Sequence, residues 1–507
     1  MSVLKSLCAS MAAAAVSVMV GVGWAAGMGM GTGSSATDQD LPDLGSPATA
    51  AVSLDDEYRA GLGWFSQMRQ TGAVLDDPEV SDYIQEIGHS LSNRAEEGQH
   101  QFYYFVLKDP IVNAFAMPGG FVAIGSGLIL ATRNENELAG VMAHETAHVT
   151  QRHLVRQLIE QSHAGLVSTA AMLAAILLGA TAGRGGSPDA MEGAIMAAQG
   201  AAIQHQINYT RASEYEADRI GIGTMASAGY DPLGMASFFD YMSRSGPEPS
   251  RVNAVQFLID HPIFSDRVAE ARNRADQIGR IRHTDSLGYT LMRERLRSLV
   301  GSPQAAREYY VNLARNGAGL GIEDRYGKDV AEIATRNPAR AIPDLQALVK
   351  EYPKVNQFYG ALGQAYLANG QLKESQSVLD QALILFPRNA PVTIRLAETL
   401  MRTGDNKRAH LILDDLFNVV EPTPDQTRLI AKAAYAAGDI ADSYYYMSFF
   451  YLMSGDFKMA VNQLQLGLEM PGLDPIQRAR FSARLEEVRA AMPKDRKNTV
   501  ADDNGRH

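Results

Sequence analysis

Between Ala341 and Leu464 small and apolar residues return with a period of 34, and no other feature of this 507-residue chain restricts its folding so tightly. One full unit carries Tyr359, Leu362, Gly363, Tyr366, Ser375, Leu379, Ala382 and Pro387. One period earlier, Ala341, Leu345, Leu348 and Pro353 fill the second half of a unit whose first half fits poorly. One period later come Leu396, Ala397, Leu400, Ala409, Leu413 and Leu416. A further unit holds Tyr444, Met447, Tyr451, Ala460 and Leu464, displaced from register by an inserted helix near 427–437. Small residues let paired helices approach, and large ones fill the gaps between them. A unit of this length cannot bury its apolar face alone, so units stack. The pattern predicts an α-solenoid over residues 310–492.

These spacings are the tetratricopeptide pattern. Composition narrows what else the chain can be. Lys plus Arg is 46 against 57 for Asp plus Glu, a net charge of −11, which argues against a nucleic-acid partner. With 46% hydrophobic and 20% charged residues, wholesale disorder is excluded. The single cysteine, Cys8, lies in an apolar N-terminal run that follows Lys5 and ends in small residues around Gly23, Ala25 and Ala26. That is the make-up of a secretory signal over residues 1–26, with an uncleaved anchor as the alternative. Without it the chain has no cysteine and tolerates an oxidising compartment. Residues 27–51, rich in Gly, Ser, Ala, Thr and Asp, read as a disordered linker, and 493–507 as a disordered tail.

Residues 52–300 read as a separate, mostly helical domain with a small sheet. Helical spacing resumes at Leu54, and Phe102 to Leu107 reads as a strand. Two short apolar runs, Asn113 to Met117 and Phe121 to Ile124, flank Pro118-Gly119-Gly120 as paired strands about a tight turn. A helix should start after Asn134, with Glu137 completing a capping box, and run to about Gln161 through one weak point at Gly140. The uncharged segment 164–182 is long enough to span a bilayer but rich in Ala, so a packed or surface helix is expected, with peripheral membrane contact left open.

The sharpest chemical signal is His144-Glu145-Thr146-Ala147-His148. Residues four apart share a helix face, so two imidazoles can meet one Zn²⁺ while Glu145 reaches a water on it. The flanking Val141, Met142 and Ala147 are apolar, and buried imidazoles need partners that a metal supplies. Catalytic zinc takes a third protein ligand. Glu214 and Asp218 share a helix face, so Glu214 could ligate while Asp218 orients a zinc histidine. Spacing alone leaves an ion-paired solvated face equally open, since Arg211 and Arg219 are close by. The other histidines, His153 among them, show no ligand spacing and read as surface or core residues.

His144 to His148, Glu214 to Asp218 and Asn113 to Gly120 together resemble the M48 zinc metallopeptidases, gluzincins with HExxH on one helix and ExxxD on a later one. Ala228 to Pro232, His261-Pro262 and Arg267 fit the same resemblance, which covers about residues 54–285. It implies a gluzincin-type domain with one Zn²⁺ per chain, held by His144, His148 and Glu214. It also implies Glu145 as general base, Asp218 as orienter, and Asn113, Ala114, Phe115 and Ala116 as an edge strand that pairs with extended substrate. His261 and Arg267 are candidate regulatory or transition-state residues, His261 as a fourth ligand that keeps the enzyme latent.

Combining signal, peptidase and repeats implies a periplasmic endopeptidase. It would degrade misfolded or stalled outer-membrane proteins and meet their assembly machinery through the repeats. Two alternatives stand beside this one, a chaperone or adaptor with a latent site and a membrane-embedded peptidase.

Overall fold

The computed structural model describes residues 52–95, 101–157, 159, 211–244, 261–262, 265–315 and 320–492. The signal, the linker, the 164–182 segment and the tail expected from the sequence lie outside the described residues. No helix among the described residues is long and apolar enough to cross a membrane.

The N-terminal half is helices around a three-stranded sheet. Helices α1 (Leu54–Gln70) and α2 (Pro78–Ser92) start on the side-chain caps Ser53 and Asp77. Strands β1 (Tyr103–Leu107), β2 (Ala114–Ala116) and β3 (Phe121–Gly125) follow in spatial order β1-β3-β2. β3 is central and buried along its length, parallel to β1 and antiparallel to β2. β2 therefore forms one edge, joined to β3 by a 3₁₀ turn over Pro118–Gly120, as the paired-strand reading expects.

After α3 (Ser126–Ala131) comes α4 (Glu135–Thr150), in which only His148 escapes full burial. Asn134 caps it by accepting from the Glu137 N–H at 3.0 Å. The expected capping box is only half made, because the Glu137 carboxylate turns to the Arg133 N–H and the Ser237 hydroxyl, each 2.8 Å away. Gly140 costs helix propensity but is required by packing. A Cβ there would lie 2.9 Å from the Met235 Cα of α6 (Leu233–Arg244). Helix α4 stops eleven residues short of Gln161. At Arg152 the backbone takes φ 53°, and a new helical turn covers 153–157. The buried Glu57 carboxylate accepts from Arg152 Nε at 2.6 Å and the Val52 carbonyl accepts from its Nη2, which hold this left-handed residue in place. Helix α5 over residues 211–227 and α7 (Ser265–Ile278) pack with α6 around α4, and a single core spans all of these elements.

Helices α8 (Leu287–Leu299) and α9 (Pro303–Arg315) lead into the solenoid. Its first helices, α10 (Ile322–Ala334), α12 (Asn356–Ala368), α14 (Ala390–Thr403) and α16 (Pro424–Ala437), each begin 34 residues after the last. Their partners α11, α13, α15 and α17 begin at Pro338, Leu372, Asn406 and Ile440 with the same spacing, and α18 (Phe457–Leu468) and α19 (Pro475–Ala491) close the array. The helix near 427–437 is thus no insertion but the first helix of an in-register fourth unit, and Tyr444 belongs to its second helix. Thr427, Ile430, Ala431 and Ala434 stand where another unit has Tyr359, Leu362, Gly363 and Tyr366, so the bulk that marks the pattern is missing. In α10 the same positions carry Arg325, Lys328, Asp329 and Glu332, which explains the poor fit of the earliest unit. Small residues at the Gly363 position are needed for helix approach, since a Cβ there would lie 2.6 Å from the Leu379 side chain.

The solenoid is clasped to the N-terminal half by a buried ionic cluster. Arg295 of α8 donates to both Asp77 oxygens at 2.7 Å. Arg395 of α14 donates to both Glu79 oxygens, at 3.1 and 2.8 Å. A second contact lies further along, where Arg69 of α1 pairs with Asp425 at 2.7 Å.

Candidate metal centre

Helix α4 delivers His144 and His148 one turn apart on a buried face, as their spacing requires. Their Nε2 atoms converge to 3.0 Å. Glu214 enters from α5, with carboxylate oxygens 3.4 Å from His144 Nε2 and 3.3 Å from His148 Nε2. The fourth group is His261, whose Nδ1 lies 3.3 Å from both His144 Nε2 and a Glu214 oxygen. Ligand atoms of these four residues all lie within 4.8 Å of one another, so they could hold a metal ion.

Asp218, one turn after Glu214, places an oxygen 2.9 Å from His144 Nδ1. The positive partner of both carboxylates is Arg267, not Arg211 or Arg219, which lie exposed. Arg267 is fully buried, reaches Glu214 and Asp218 at 2.8 Å, and stacks 5.0 Å from the Phe239 ring centroid.

Glu145 is buried beside the two histidines, and its carboxylate makes no hydrogen bond among the described residues. His261 Nε2 lies 3.4 Å from one of its oxygens. A cavity of about 380 Å³ opens next to it, lined by Phe115, Ala116, Glu145, His148, Arg152 and His261 among others. Ala114, Phe115 and Ala116 form the edge strand β2, with the Asn113 carbonyl just before it accepting from the Gly125 N–H at 2.8 Å. His261 Nε2 also comes within 3.4 Å of the Ala114 carbonyl, so residue 261 touches both the ligand cluster and the sheet edge.

The titrations reflect this crowding. Burial works against charge on His144, but Asp218 and Glu214 outweigh it and raise its pKa to about 10. For His261 burial is likewise overcome, by Glu145 and Glu214, and its pKa rises. Burial lowers that of His148. Glu214 sits well below the usual carboxylate range because the three histidines outweigh its burial. Asp218 is lowered against burial by His144 and Arg267. Such a cluster is stabilised by positive charge, whether protons or a metal.

The sequence reading missed His153 and Glu216. In an unbroken helix residue 153 would point away from His148, but the turn at Arg152 brings it back. His153 is buried with Nδ1 3.0 Å from His148 Nδ1 and Nε2 3.1 Å from a Glu216 oxygen. Burial, with His148 close by, lowers its pKa to about 4. The only signal in the sequence was His153 itself, five residues past His148.

Residues 78–275 match the model of peptidase family M48, and 330–391 and 361–416 match that of the tetratricopeptide repeat. The chain is 37% identical over 328 residues to a putative beta-barrel assembly-enhancing protease of Vibrio cholerae, covering 63% of this chain and 65% of that one. It thus spans just under two thirds of that relative's length. With the beta-barrel assembly-enhancing protease of Escherichia coli K12 it shares 28% identity over 452 residues, 89% of this chain and 91% of the relative. The metalloprotease LoiP of the same organism aligns at 25% identity over 238 residues, covering 46% and 87%.

Proposed function

We propose that residues 78–275, which match peptidase family M48, are the catalytic domain of a zinc-dependent endopeptidase of the bacterial envelope whose chain also carries tetratricopeptide repeats. In this reading His144, His148 and Glu214 hold one Zn²⁺, Glu145 is the general base, and Asp218 and Arg267 orient the ligands. The observation that carries it is the convergence of the two Nε2 atoms and the Glu214 carboxylate at 3.0–3.4 Å. A tetrahedral ion with bonds of about 2.0–2.1 Å separates its ligand atoms by roughly 3.3 Å. Charge agrees. Among the described residues Arg267 pairs with Glu214 and Asp218 while Glu145 has no guanidinium partner, so with neutral imidazoles a divalent cation balances the three carboxylates. A two-nitrogen, one-carboxylate set suits zinc among the divalent ions.

Zinc in such a site supplies a Lewis acid that brings a water's pKa to about 7 and polarises a carbonyl. The protein's own residues do the rest. Glu145, unengaged and facing the cavity, accepts the water's proton and returns it to the leaving amine. The outer edge of Ala114–Ala116 pairs with an extended segment through main-chain hydrogen bonds, which selects unfolded chains. The relatives' name, beta-barrel assembly-enhancing protease, supports β-barrel proteins in assembly as the clients, and the secretory signal expected over residues 1–26 supports the periplasm as the compartment. The repeats present a surface for the assembly machinery or for the client. The contacts of His261 with Glu145, Glu214 and Ala114 favour a second, compatible reading. Residue 261 fills the open metal position and keeps the peptidase latent until it moves, leaving a chaperone or adaptor role to the repeats.

The test is Glu145→Gln in purified protein against an unfolded β-barrel protein. Cleavage should fall by about 10²–10⁴-fold with one zinc per chain retained. Wild type that purifies without zinc under metal-replete conditions, or full cleavage by the variant, overturns the reading.

A further inference from the structure

Behind His148, on the side away from the metal ligands, lies a chain of side chains that the proposed mechanism does not use. His148 directs Nε2 at the ligand cluster, so its Nδ1 carries the proton and must donate it. The acceptor 3.0 Å away is Nδ1 of His153. With Nδ1 accepting, neutral His153 carries its proton on Nε2, 3.1 Å from a Glu216 oxygen. Arg156 fixes that same oxygen from the other side at 3.0 Å. Every nitrogen in the chain has one role, and the donor directions all run outward from the ligand cluster to Glu216.

We propose that His153, anchored by Glu216, is a positioning residue that fixes the ring orientation and tautomer of His148 and thereby sets the protein's zinc affinity. A ligating histidine commonly donates directly to a carboxylate or a carbonyl, and here a second imidazole stands between it and the carboxylate. The arrangement depends on the break in the helix. Arg152, held at φ 53° by Glu57, starts the new turn that brings the His153 ring to 4.8 Å from that of His148, at 78° to its plane. His144 is oriented separately by Asp218, so each metal histidine has its own support, one from α5 and one from the turn after α4.

The proposal rests on the zinc reading, and one experiment tells the two apart. Zinc affinity of the purified protein is measured by chelator competition for wild type, His153→Phe, His153→Gln and Glu216→Leu. His153→Phe keeps a planar ring but removes the acceptor, and should weaken zinc binding by about 10–100-fold. His153→Gln offers an oxygen to His148 and an amide N–H to Glu216, and should recover most of that loss. Glu216→Leu should fall between them. A Co²⁺-loaded sample read by visible absorption should show a band shift in His153→Phe that His153→Gln reverses. Unchanged affinity in His153→Phe overturns the relay while leaving the metal site intact, and so does a Gln variant as weak as Phe. A wild type with no zinc affinity overturns the metal site itself.

Discussion

The ligand cluster between α4, α5 and residue 261 and the clasp joining α2 to α8 and α14 bury charge to similar depths but balance it differently. In the clasp, Asp77 and Glu79 meet Arg295 and Arg395, two carboxylates against two guanidiniums with both oxygens of each acid bonded. Burial pushes Asp77 up, and Arg295 more than offsets it, so its pKa falls below the usual range. In the cluster, two carboxylates share one guanidinium, and the oxygens of a third, Glu145, make no hydrogen bond among the described residues. A complete set of partners holds two domains together. An incomplete one leaves room for an ion and a substrate.

Breaking the clasp should have the largest effect on stability. Arg295→Leu removes the guanidinium bonded to both Asp77 oxygens and leaves Asp77 only the longer guanidinium contact of Arg395 at 3.3 Å, and loss of one partner of a buried pair costs about 3–5 kcal/mol. The expected outcome is a lower thermal midpoint by calorimetry with zinc stoichiometry unchanged in protein that remains folded. A midpoint within a degree of wild type would mean that the clasp carries little of the domain contact.

Asp329 sharpens the comparison, because it is a buried carboxylate at neither place. It occupies the small-residue position of α10, and among the described residues its one ion-pair partner is Lys328 Nζ at 3.3 Å. Burial raises its pKa to about 8 from an ordinary 3.8. The folded state therefore holds a proton between about pH 4 and 8 that the unfolded state releases, so this residue costs stability increasingly as pH rises through that window. Asp329→Asn should be more stable than wild type by up to about 5 kcal/mol at pH 8 and nearly equal to it at pH 4, in urea unfolding followed at both pH values. A difference independent of pH would refute the raised pKa. Lack of a partner alone thus yields a neutral acid, whereas several acids and imidazoles together yield a cation site.

The smallest effect expected is at His261. If it occupies the open ligand position, His261→Ala should raise cleavage of an unfolded polypeptide by about 2–10-fold and lower zinc affinity modestly. Equal or lower cleavage with unchanged zinc affinity would remove it from the latency account.

Much of this molecule was legible from residue order. HExxH reads as two imidazoles on one helical face because a helix repeats every 3.6 residues, and the structure brings His144 and His148 together on that face. The paired strands around Pro118-Gly119-Gly120 were equally plain. The solenoid was readable where bulky residues marked its units and obscure at Ile322 and Pro424, where charged or small residues fill the same positions.

Local pattern specified each helix face and each repeat, because those depend on neighbours three, four or thirty-four positions away. What no local pattern could supply was the company these faces keep. Arg267 rather than Arg211 pairs with Glu214, and His153 returns to His148 only because a salt bridge to Glu57 bends the chain. Those partnerships join residues 53 and 95 positions apart or depend on one left-handed residue, so they exist only once the tertiary structure has formed.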